Sequence, residues 1–200
     1  MSEPAFRLVD GCVWSAEFDA GSLGVAGGSR RQGLLFKLVD STDAAEPWVL
    51  AADWVTRLRE ARLAAGPTQE ALAAAAGVEL ATLASWETGR RIPSLRNLIK
   101  VGRALELRLV LVGADGVARV AQVPPIPGEP RENEEIRALV AVLRDARRRS
   151  RKTLDAVASG VGVSAWSLAQ FERSQLHPRL LVLAAWTLEL GCVLRWQPTV

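Results

Sequence analysis

Arginine supplies most of the chemistry this chain can do. The run Arg147-Arg148-Arg149-Ser150-Arg151-Lys152 and the pair Arg90-Arg91 concentrate positive charge in two places. Residues 48–112 hold nine basic against six acidic side chains, and residues 136–200 hold ten against four. The remaining stretches are acidic, with four basic against seven acidic residues over 1–47 and two against five over 113–135. Such an alternation suits a polyanionic partner, although arginines also decorate solvated helix faces. Other chemistry is poorly supplied. The one histidine, His177, stands before Pro178 and reads as a loop residue, while Cys12 and Cys192 lie far apart without a Cys-x-x-Cys spacing. No nucleophile–base pairing or metal-ligand cluster appears, and Gly21–Gly28 lacks the strand–glycine–helix setting of a phosphate cradle. No catalytic residue, metal or cofactor is expected.

The elements that must position these arginines come as a repeat. Leu58-Arg59-Glu60-Ala61-Arg62, Gly77-Val78, Leu83-Ala84, Trp86-Glu87 and Pro93 recur 85 positions later. Their counterparts are Leu143-Arg144-Asp145-Ala146-Arg147, Gly162-Val163, Leu168-Ala169, Phe171-Glu172 and Pro178. The register holds without a gap from Leu58 to Leu95, which makes this unit the first fact of the architecture. Val55, Leu58, Ala61, Arg62 and Ala65 have the three-to-four spacing of an amphipathic helix, and Gly66-Pro67 ends it. Thr68 is a natural N-cap for a second helix, which Gly77 closes, and a third runs from about Leu80 to Thr88. Leu95, Leu98, Ile99, Val101 and Leu105 mark a fourth.

Between the copies, Leu107–Val112 and Val117–Ala121 flank a glycine turn as a hairpin would, and Pro124–Pro130 reads as a stiff linker. Asn133 is placed to cap the next long helix, and Cys192–Trp196 reads as a closing strand. The first 47 residues are either a small β element, with a turn at Asp10-Gly11, or a leader without fixed structure. The division expected is therefore a leader over 1–47, a first helical domain over 48–112, a hairpin and linker over 113–133, and a second helical domain over 134–200. No apolar run approaches the ~20 residues of a membrane span, and the N-terminus lacks a signal-peptide layout.

The first copy resembles the XRE-type helix-turn-helix family of Cro and phage repressors. Arg62, Gly66, Thr68-Gln69-Glu70, Leu72-Ala73, Gly77-Val78, Thr82-Leu83, Trp86-Glu87-Thr88-Gly89-Arg90-Arg91, Pro93 and Leu95 fall where that pattern puts such residues. The second copy resembles it more distantly, keeping Arg147, Thr153, Val157-Ala158, Gly162-Val163-Ser164, Ser167-Leu168 and Phe171-Glu172. The resemblance implies a mainly α fold of two lambda-repressor-like bundles, with short strands or hairpins at the N-terminus and after each bundle. It also implies a buried pair of a helix-one arginine with the glutamate ending the third helix, here Arg62–Glu87 and Arg147–Glu172. Leu72, Leu83 and Trp86 are expected in the core.

By the same resemblance, the chain is expected to be a cytoplasmic, nucleoid-associated, bacterial or phage-encoded transcriptional regulator that binds duplex DNA as a repressor does. Gln69 would touch a phosphate, Leu80, Ala81 and Ser85 would face base edges, and Thr82, Thr88, Arg90 and Arg91 would lie near the backbone. In the second copy Ala165, Trp166 and Gln170 take the reading positions, with Ser167 and Arg173 beside them. Arg148, Arg149, Arg151 and Lys152 would meet phosphates. Of these, Gln170 can pair with an adenine edge, whereas Leu80 and Ala81 reach at best a thymine methyl. Trp166 suits a protein interface better than a groove. An antitoxin-like, partner-binding role is the alternative. A homodimer and an internal pseudo-dimer through the terminal strands both fit the pattern.

Overall fold

The computed structural model describes residues 47–113 and 115–199, all within the compact unit Ala44–Val200. The leader expected over residues 1–47 lies, apart from Pro47, outside the described residues, as does Cys12. The described chain is mainly helical, as the sequence indicates, with eight helices and one small sheet. In order these are α1 (Pro47–Ala65), α2 (Gln69–Ala76), α3 (Leu80–Glu87), α4 (Leu95–Ala104), β1 (Leu107–Val112) and β2 (Ala118–Arg119). Then follow α5 (Arg131–Arg149), α6 (Leu154–Val161), α7 (Ala165–Glu172), α8 (Leu180–Glu189) and β3 (Val193–Pro198). The bounds of α2, α3 and α4 fall on those of α6, α7 and α8 after a shift of 85 positions.

Local chemistry explains where the helices begin and end. The Thr68 hydroxyl accepts from the Ala71 amide at 3.1 Å and the Thr153 hydroxyl from the Ala156 amide at 3.2 Å, so α2 and α6 carry the same N-cap. Gly77 (φ 63°) and Gly162 (φ 75°) close them in the left-handed region that a side chain disfavours. Asn133 does not cap α5. That helix starts at Arg131 behind Pro130, whose fixed φ suits a helix start, and the Asn133 side chain accepts instead from Arg96 of α4 at 2.9 Å. The proline linker is docked rather than merely stiff. Arg137, itself buried, donates to the Pro124 carbonyl at 2.9 Å and to the Glu129 carboxylate at 2.6 Å.

Apolar rows on all eight helices meet in one continuous core. Ala51, Trp54, Val55 and Leu58 of α1, and Ile136, Leu139, Val140 and Leu143 of α5, recur every three to four residues, as one buried helix stripe requires. Leu72, Leu83 and Trp86 are buried as expected. Packing crosses between the halves in both directions, α1 against α8 and α4 against α5. Trp196 of β3 is part of that crossing: its indole N–H donates to the Trp54 carbonyl at 3.0 Å. Its ring lies so close to Gly102 of α4 that a Cβ there would clash with it.

The sheet has the order β2-β1-β3, and both pairings are antiparallel. The hairpin is shorter than its alternating sequence suggests, since only Ala118 and Arg119 pair with β1 before the chain turns to the linker. Across β1 and β3, Val110 faces Arg195, Leu109 faces Trp196 and Leu111 faces Leu194. Val110 and Arg195 are themselves 85 positions apart. The same shift carries Leu109 onto Leu194 and Leu111 onto Trp196, so the two flanking pairs exchange places.

Candidate nucleic-acid interface

The helix-turn-helix geometry is built on a buried charge pair. Arg62 of α1 reaches Glu87 at the end of α3 with two parallel bonds of 2.7 Å, and its remaining nitrogen donates to the Pro67 carbonyl at 3.1 Å. The side chains are 9% and 4% exposed, so the charges are desolvated and depend on one another. Burial works to raise the Glu87 carboxyl. The bonds from Arg62 and Gln69 outweigh it and hold that carboxyl below the usual range, while the bond to Glu87 keeps the guanidinium pKa raised. In the second half Arg147 grips Glu172 at 2.6 and 2.7 Å and donates to the Lys152 carbonyl at 2.9 Å, the same three bonds after a shift of 85. Each pair fixes the first helix to the end of the third.

On that frame α3 exposes Leu80 and Ala81 at its N-terminus and leaves Thr82 and Ser85 half-buried. The Ser85 hydroxyl donates to the Thr82 carbonyl at 2.7 Å and that of Thr88 to the Ala84 carbonyl at 2.8 Å. Both protons are committed, so these hydroxyls present acceptors only. Gln69 is placed differently from the expectation that it is free for a phosphate. Its amide donates to Glu87 at 2.6 Å, which ties it into the buried pair and leaves one amide hydrogen. Arg90 and Arg91, just past the helix, are exposed and make no ion pair among the described residues.

The second half presents a different surface. Ser164 caps α7 by accepting from the Ser167 amide at 3.1 Å, whereas Glu79 makes no side-chain cap for α3. Ala165, Ser167 and Gln170 are half-buried, and Trp166 is 66% exposed. Among the described residues the Gln170 side chain has no hydrogen-bond partner, so its amide is available. Arg148, Arg149 and Arg151, where α5 turns towards α6, are exposed, as is Arg173 after α7. Lys152 does not join them. Its ammonium donates to the Glu189 carboxylate and carbonyl, both at 2.7 Å, because the half-buried acid at the end of α8 is the nearest strong acceptor. His177 is half-buried in the loop between α7 and α8, and burial holds its pKa down. Among the described residues no group of His, Cys, Asp or Glu is placed to hold a metal.

One set of positions escaped the sequence reading. The non-glycine residues with positive φ among those described are Glu106 (57°), Arg151 (54°) and Ser174 (57°). Each stands 85 positions from a glycine of like φ: Gly191 (62°), Gly66 (95°) and Gly89 (69°). The backbone thus repeats even where the residue type does not. A comparison of glycines alone misses it, because glycine sits on only one side of each pair.

A family model described as helix-turn-helix matches residues 58–112. That segment, from within α1 to the end of β1, is a helix-turn-helix, and the match supports its place in the XRE-type family. Domains of that family bind DNA. No curated protein and no solved structure matches the chain.

Proposed function

We propose that the chain is a sequence-specific, repressor-like transcriptional regulator of duplex DNA, with α5–α8 serving as a second, divergent module of the XRE type. The observation that carries this is the matched helix-turn-helix whose exposed Arg90 and Arg91, at the end of α3, make no ion pair among the described residues. The second module adds the Gln170 amide, suited to an adenine edge, and phosphate-seeking Arg148, Arg149, Arg151 and Arg173. Leu80, Ala81, Thr82, Ser85 and Thr88 on the first side, and Ala165, Trp166 and Ser167 on the second, complete the two faces. Such a protein works in the cytoplasm at the nucleoid, and among the described residues no helix is long and apolar enough to cross a membrane.

The test is selection from random duplexes with the full chain, repeated with Arg90→Ala/Arg91→Ala and with Arg148→Ala/Arg149→Ala/Arg151→Ala. An enriched motif is expected. Each phosphate contact removed should lower the slope of log affinity against log salt by about 0.9. No motif and a shallow salt dependence would overturn the reading. A partner-binding, antitoxin-like role is the second reading, favoured by Trp166 at 66% and Leu80 at 45% exposure. It requires that Trp166→Ala leave DNA affinity unchanged.

A further inference from the structure

Two copies of a module can be joined in one chain by a translation or by a rotation, and the two leave different marks. A translation keeps equivalent strands parallel and repeats one head-to-tail contact, so the first helix and the last end up apart. A two-fold rotation turns equivalent strands antiparallel and makes every contact reciprocal. Here β1 and β3 are antiparallel, and their register is centred on Val110 and Arg195, residues that are each other's counterparts. The contact of α4 with α5 has its reciprocal in α1 with α8, and that of β1 with α5 has its reciprocal in β3 with α1. The interface between the halves is therefore isologous, of the kind that two identical subunits form about a dyad.

From this we infer that one chain engages DNA as a built-in pseudo-dimer, and that its target is an inverted repeat with two unlike half-sites. This rests on the DNA-binding reading above. The rotation that carries β1 onto β3 also carries α3 onto α7, because α2–α4 and α6–α8 keep the same bounds after the shift and α3 packs on α1 and α2 as α7 packs on α5 and α6. Helices related by a two-fold read the two strands in opposite directions, as the two-fold of a repressor dimer mirrors the palindromy of its operator. The half-sites differ because the readers differ. Leu80, Ala81 and Ser85 on one side face Ala165, Trp166 and Gln170 on the other. An identical palindrome would mismatch one of them.

The experiment takes the two half-sites found by duplex selection and re-synthesises them at fixed spacing in inverted and direct arrangement, with each half-site alone for comparison. The inverted pair should bind at least ~100-fold more tightly than either half alone, because the second contact is intramolecular. The direct pair should bind no better than a half-site. Gln170→Ala should relax base preference in one half only, whereas Arg90→Ala/Arg91→Ala should weaken binding without changing it. Equal or tighter binding of the direct arrangement would overturn the inference and leave the DNA reading standing. So would a lone half-site that binds as well as the pair. Failure of any duplex to be selected would overturn the DNA reading and this inference with it.

Discussion

The α1–β1 half and the α5–β3 half share a backbone and divide the chemistry on it. Both hold the Arg–Glu pair, the threonine cap and the left-handed glycine turn at matching positions. They part at other positions, some of which still make structural bonds. Gln69, which supports Glu87 in the first half, has Leu154 as its counterpart. Arg90 and Arg91 have Gln175 and Leu176, and Gly66-Pro67 has Arg151-Lys152. Positive charge has moved from the end of the third helix to the edge between the first and second. What the two halves have in common is thus a short set of buried bonds and dihedrals, while their surfaces differ.

Both halves depend most on their buried pairs. Arg62→Ala and Arg147→Ala each strand a glutamate, and each should cost about 3–5 kcal/mol of unfolding free energy. Denaturant titration should show one cooperative transition in both variants, because the halves share a core. Two separate transitions would mean that the halves fold as independent units. Acid acts on the Arg62–Glu87 pair. The Glu87 carboxyl is held low in the folded state, so its contribution is complete above the ordinary carboxylate value of ~4.3 and is lost as pH falls through the lowered one. Glu87→Gln should remove that part of the acid dependence measured by thermal unfolding.

Smaller effects test the shared dihedrals and the unequal caps. Arg151→Gly and Ser174→Gly should each stabilise by up to ~1 kcal/mol, since left-handed backbone penalises a side chain. Gly66→Ala should destabilise by a similar amount. Ser164→Ala should cost about 1 kcal/mol by uncapping α7. Glu79→Ser should return a similar gain to α3, where no side-chain cap exists. Matched melting curves check all five. Equal effects at Glu79 and Ser164 would contradict the difference in caps.

Much of the first half was legible because its determinants are local. Thr68, Gly77 and the spacing of Leu72, Leu83 and Trp86 announce a cap, a turn and a core face within a few residues of chain. The Arg62–Glu87 pair spans 25 residues and was legible only through the resemblance to a known family. What stayed hidden is set by neighbours distant in sequence. Asn133 looks like a cap until Arg96 claims its carbonyl oxygen, and Lys152 looks like part of a basic run until Glu189 is folded against it. The left-handed conformation of Arg151 and Ser174 leaves no trace in residue type. The register of β1 against β3 depends on two strands 81 residues apart at their nearest ends, and no local pattern specifies it.

A chain that carries both halves of a two-fold reader needs no second copy on DNA, and the mass of its complex shows this. Light scattering on the full chain with a duplex bearing both half-sites should show one chain per duplex, with the free chain monomeric. Two chains on each duplex, with each chain using one of its reading helices, would contradict it.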